Sequence, residues 1–192
     1  MKKLVAVSIL SLFMFGLAVQ AEEIELTPKE QYIKQIIASN YNYTTLGLFE
    51  AIKDNNLNCI DLFMKSGFDP NASNMQIPAI YFAITQKKPQ AVERLLRAGV
   101  DPNLEVKGRS LMNAAIASGN AETVNILIKN GADVNRESWG MVPLNYAIKK
   151  KNTDMVNLLI RAGATVDEKS LARAIKSKDE IKNTVLTRYK MQ

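Results

Sequence analysis

Hydrophobic positions in this chain recur on two nested periods, that of a helix and that of a longer repeat. Apolar residues at i, i+3 and i+4 mark one set of helices: Val92, Leu95 and Leu96; Val124, Leu127 and Ile128; Val156, Leu159 and Ile160. A shorter apolar cluster precedes each set, as in Ile80, Ala83 and Ile84, or Leu144, Ala147 and Ile148. The whole arrangement returns every 32 residues. Ala51, Ala83, Ala115 and Ala147 keep that step, as do Ile60, Val92, Val124 and Val156, and Gly67, Gly99, Gly131 and Gly163. Asp69, Asp101 and Asp133 follow it, and so do Asn71, Asn103 and Asn135, with Asp167 in the fourth place. Several unrelated residue types sharing one interval identify an internal repeat.

Each recurring residue has a physical task. The alanine lets two helices approach closely. The glycine takes the left-handed backbone that closes a helix C-terminus. Asp-Pro-Asn or Asp-Val-Asn then opens a turn, because these side chains bond nearby backbone groups. The predicted unit is helix, turn, helix and extended loop. No single unit can cover its own apolar face, so a core forms only between neighbours. The ends read as caps. Thr27-Pro28-Lys29-Glu30 is a capping box with proline at the first helical position. It opens a helix whose Tyr32, Ile33, Ile36 and Ile37 are expected to cover the first repeat, with Lys29, Lys34 and Gln35 in water. Leu171, Ala174 and Ile175, then Ile181 and Val185, predict a closing helical pair.

These residues resemble a known family. Ser110-Leu111-Met112-Asn113-Ala114-Ala115 and Val142-Pro143-Leu144-Asn145-Tyr146-Ala147 are similar to the ankyrin Thr-Pro-Leu-His-x-Ala signature. The stretches Leu-Leu-Arg-Ala-Gly-Val-Asp-Pro-Asn at 95–103 and Leu-Ile-Lys-Asn-Gly-Ala-Asp-Val-Asn at 127–135 resemble the family's second-helix ending. Two features depart from the pattern. The period is one residue short of the family's usual length of about 33, which is expected to shorten the hairpin loops. The signature histidine is replaced by Phe49, Tyr81, Asn113 and Asn145, so its bond to the loop must be replaced or absent. The resemblance implies an all-α ankyrin-repeat solenoid of stacked helix-turn-helix units with short hairpin loops and capping helices. The expected boundaries are a cleavable signal peptide at 1–21 and a capping helix at 22–44. Four repeats follow at about 45–73, 74–105, 106–137 and 138–168, then capping helices at 169–192.

The first residues read as an address. Lys2 and Lys3 precede a 16-residue apolar stretch from Leu4 to Val19, and Val19-Gln20-Ala21 places a small residue at the cut. This is the pattern of a secretory signal peptide cleaved after Ala21. A transmembrane anchor would need about 20 predominantly apolar residues, and this stretch contains Ser8, Ser11 and Gly16. The pattern predicts a bacterial periplasmic or secreted protein, with no stable membrane insertion after cleavage. The alternative is an envelope-tethered scaffold that retains the segment.

Composition removes most catalytic chemistry. Histidine is absent from the 192 residues, and with it the commonest general base and metal ligand. Cys59 is the one cysteine, so no disulfide can close within the chain. The acidic residues are periodic or scattered, and no phosphate-binding glycine loop is present. Neither enzymatic activity, a cofactor nor a metal is expected. The Asp-Pro-Asn turns are too far apart for a calcium loop. Of the formal charge of +6, loss of residues 1–21 removes two of the 25 basic residues and none of the 19 acidic ones, leaving +4. Lys65, Arg97, Lys129 and Arg161 account for that excess; each falls in the last turn of a second helix, where a cation complements the dipole. Lys149-Lys150-Lys151 follows a first helix in the same way. The charge is therefore explained structurally, and nucleic acid is not an expected partner.

Binding residues are sought where the repeat is broken. Met75, Lys107 and Trp139 share one loop-tip position, and Arg109 and Met141 lie two residues beyond the second and third of them. Tyr81, Asn113 and Asn145 stand on the first helices behind. Methionine and tryptophan are adaptable or large anchors of the kind that dominate interfaces. Trp139 is open to a second reading, in which it merely packs against the next hairpin. The resemblance implies that hairpin tips and first helices form a concave face that grips a protein. The expected function is partner binding by a monomer without catalysis. The alternative from a different class is a redox-responsive regulator acting through Cys59, although the position also suits a small packing residue.

Overall fold

A computed structural model describes residues 26–177 and 179–191 of the chain. The signal-like segment at 1–21 lies outside the described residues. Helix α1 (Pro28–Ala38) is followed by five helical pairs. The first helices are α2 (Thr45–Lys53), α4 (Ala79–Thr85), α6 (Leu111–Ser118), α8 (Pro143–Lys149) and α10 (Glu168–Ile175). The second helices are α3 (Leu57–Lys65), α5 (Pro89–Arg97), α7 (Ala121–Lys129), α9 (Thr153–Arg161) and α11 (Asp179–Lys190). First helices pack on first helices along the stack, and second helices on second helices. The fold is the all-α solenoid that the period requires.

Local chemistry fixes where each helix begins and ends. Asn56, Asn120 and Asn152 cap α3, α7 and α9, each side chain accepting a bond from the backbone N–H three residues on. At the equivalent place in the second unit Lys88 makes no such bond, and Pro89 occupies the first turn of α5 instead. Second helices end at the repeating glycine; Gly131, for example, has φ 87°. Its amide bonds back to the Ile128 carbonyl, and the next amide bonds to that of Leu127. These bonds satisfy carbonyls that the helix end would otherwise leave orphaned.

Between units runs a second ladder. Asp69, Asp101 and Asp133 each accept the amide of the asparagine two residues on, at 2.8 Å. Asn103 then reaches the following repeat, donating to the Gly131 carbonyl and accepting the Asp133 amide; Asn135 does the same with Gly163 and Thr165. The recurring Asp and Asn thus stitch successive loops together as well as turning them. The core is continuous through the stack, with Leu48, Ile60, Ile80, Leu95, Leu111, Leu127, Leu144 and Leu159 fully or almost fully buried. Burying each such side chain contributes about 1.5–3 kcal/mol.

The ends differ from expectation in detail. The Thr27–Glu30 capping box forms. Helix α1 packs on α3, in the second-helix layer. Among the described residues no first helix pairs with it, so the covered stripe is narrow. Ile36 is buried and Tyr32 and Ile33 half-buried, but Ile37 is 58% exposed. At the other end α10 packs on α8 and α11 on α9, so the closing pair continues the stack as a fifth unit. It has no hairpin: Asp167, at the place of the loop asparagines, caps α10 directly through Ser170. Ile181, Val185 and Ala174 are buried, whereas Ile175 is 54% exposed, with no further unit among the described residues to cover it.

Candidate functional site

The loops between units are short antiparallel hairpins: β1 (Ser73–Asn74) with β2 (Ile77–Pro78), and β3 (Glu105–Val106) with β4 (Arg109–Ser110). A single bridge between Ser138 and Met141 makes a third. Each closes through two residues with positive φ: Met75 and Gln76, Lys107 and Gly108, Trp139 and Gly140. This backbone suits Asn-Gly and resists large side chains. Nevertheless methionine and tryptophan stand there, 87% and 63% exposed.

The third hairpin leans on the second. Trp139 Nε1 donates to the Lys107 carbonyl at 3.1 Å. The Arg109 guanidinium lies over the indole, 4.3 Å from its centroid, a contact of about 0.5–1 kcal/mol at an exposed site. A Cβ on Gly108 would come within 2.8 Å of Trp139 Nε1, so the second hairpin leaves room for the ring. Trp139 therefore rests an edge on its neighbour while most of its surface faces water. The hairpin it leans on is the preceding one, whereas the packing reading of the sequence places it against the next.

Behind the hairpin, Asn113 on α6 does part of what the signature histidine would do. Its Nδ2 donates to Ser138 Oγ at 2.7 Å and to the Met141 carbonyl at 3.3 Å. The residue is 5% exposed, so it holds the hairpin from behind and presents little to a partner. Its Oδ1 is buried without a protein partner, as is that of Asn145 on α8, which is also 5% exposed. Phe49, at the equivalent position of the first unit, replaces the polar link by an aromatic contact with Phe82, 5.0 Å between centroids.

A pocket of about 380 Å³ opens between the third hairpin and the first helices. Of the residues singled out in the sequence, Arg109, Asn113, Trp139 and Met141 line it. Met75 and Tyr81 belong to the preceding unit and Lys107 to the exposed tip; these three and Asn145 lie outside its lining. Ser138 of the hairpin completes the wall with Tyr146, Lys149 and Lys150, and sequence reasoning missed it as a site residue along with these three. The signal was available: spacing of i, i+3 and i+4 puts all three on one face of a helix. Lys150 Nζ sits 5.5 Å from the Tyr146 ring centroid. At the rim, Arg173 of α10 reaches Met141 Sδ at 3.9 Å.

Cys59 is elsewhere, on α3 and 1% exposed. Burial pushes its thiol up to about 11, which keeps it protonated and poorly nucleophilic near neutral pH. Among the described residues no helix is long and apolar enough to cross a membrane.

Residues 80–170 match the family model described as ankyrin repeats, in 3 copies. The match runs from α4 to the start of α10, so it contains the second and third hairpins and every residue lining the pocket. No curated protein matches the chain. Ankyrin repeats are in general protein–protein interaction modules.

Proposed function

From a chain folded as an ankyrin-repeat solenoid, we propose a protein-binding module of the bacterial envelope that holds a partner on its hairpins and first helices and catalyses nothing. The observation that carries this reading is Trp139. A large aromatic side chain in left-handed backbone costs about 1 kcal/mol or more, and here it is 63% exposed beside a pocket. Stability alone would favour asparagine at that turn position. An exposed, pre-positioned indole is instead what an interface anchor requires. The envelope location rests on the signal-like pattern of residues 1–21.

Replacing Trp139 and Met75 by asparagine tests the surface, because asparagine suits both turns. Circular dichroism and melting should be preserved or improved, while capture of the partner from a periplasmic extract should fall about tenfold or more. Unchanged capture would place the interface elsewhere. The location has its own test: mass spectrometry should find a chain starting at Glu22, and a chain that keeps Lys2 and Lys3 would instead support a tethered scaffold.

A further inference from the structure

The pocket beside Trp139 has a chemistry of its own. Three of its lining residues are cationic, Arg109, Lys149 and Lys150, and none is acidic. The ion pairs among the described residues are Arg94 with Asp61, Arg97 with Glu93, and Arg136 with Glu105. The three cations of the pocket take part in none of them. Two are held over aromatic rings, Arg109 on Trp139 and Lys150 on Tyr146, and so are positioned without being neutralised. Met141 supplies an adaptable apolar patch on the same wall.

We propose, resting on the reading above, that this groove receives an extended acidic segment of a partner protein. Carboxylates of the segment pair with Arg109, Lys149 and Lys150, and an apolar side chain settles among Trp139, Met141 and Tyr146. Charge complementarity selects the partner: an uncompensated basic groove attracts an acidic chain and repels a basic one. A nucleic acid could also use cations and rings, but base stacking needs an open aromatic platform. Here one face of each ring is occupied by a cation, and the Trp139 edge is fixed to the Lys107 carbonyl.

Trp139 is the sole tryptophan of the chain, so its emission reports on this groove alone. Protein purified as cells process it is used to select from a random-peptide library displayed on phage. Recovered peptides, and separately a single-stranded oligonucleotide, are then titrated while Trp139 emission is followed. Peptides rich in Asp and Glu around an apolar residue should be recovered and should shift that emission. They should bind about tenfold more weakly to Lys149→Glu/Lys150→Glu, and measurably more weakly to the milder Lys149→Gln/Lys150→Gln. Lys65→Glu/Lys129→Glu, on the second helices, should bind as the parent does. Neutral or basic peptides that move Trp139 would overturn the acidic partner yet leave the binding surface standing. An oligonucleotide that moves Trp139 where peptides do not would replace the proposal with a nucleic-acid site. Failure to recover any peptide that moves Trp139 would overturn both the acidic partner and the surface.

Discussion

Asn113 and Asn145 occupy the same place in successive repeats and are equally buried, yet only Asn113 carries a hairpin. Asn113→Ala should cost about 1–3 kcal/mol in urea unfolding, since Ser138 and Met141 lose a donor in a buried setting. Asn145→Ala, which breaks no bond to the third hairpin, should cost less. Thr123 offers the converse case. It is fully buried and its Oγ1 has no partner. Thr123→Val keeps the shape and the backbone bond to the Asn120 cap, so it should stabilise by about 1 kcal/mol in the same assay. For Cys59 the folded thiol titrates near 11 against 9.0 for a free one. A raised folded value means that this contribution to stability is complete below pH 9 and is lost as pH rises towards 11. Thiol-modifying reagents should therefore react slowly with native protein at neutral pH and rapidly once it is unfolded.

At the scale of helices and turns, two glycines are required for different reasons. Gly131 has φ 87° and open space where a Cβ would sit. Gly131→Ala should thus cost only the backbone term, about 1 kcal/mol. A Cβ on Gly47, in the first turn of α2, would overlap the Asn42 carbonyl oxygen, so Gly47→Ala should cost more and shift the loop before α2. The glycines closing second helices were legible because one residue type fills that position in four repeats. Another left-handed position recurs at the same step inside each unit, at Asn55, Lys87, Gly119 and Lys151. Three residue types share it, so no pattern of letters betrayed it. The exposed Ile37 and Ile175 went unread for a related reason: periodicity marks an apolar face without saying how much of it a neighbour covers.

Across the whole molecule, repetition made the architecture readable and its interruptions made the site. The period located every helical pair up to Arg161, but most of the groove's residues do not recur in register; Asn113, matched by Asn145, does. Lys149 and Lys150 were read as complements of a helix dipole, which they remain, while also lining the pocket. The fifth unit packs on the fourth, and its Ile181 and Val185 are fully buried. Deleting residues from 168 onward removes their contribution, about 3 kcal/mol or more, and bares α8 and α9, so the melting temperature should fall. The most direct test of the functional account compares the two faces of the solenoid in living cells. A photo-crosslinking amino acid is placed at Trp139 on the third hairpin, or at Asn125 on the exposed side of α7. The account predicts a discrete crosslinked protein from position 139 and none from 125. Crosslinking confined to position 125 would contradict it.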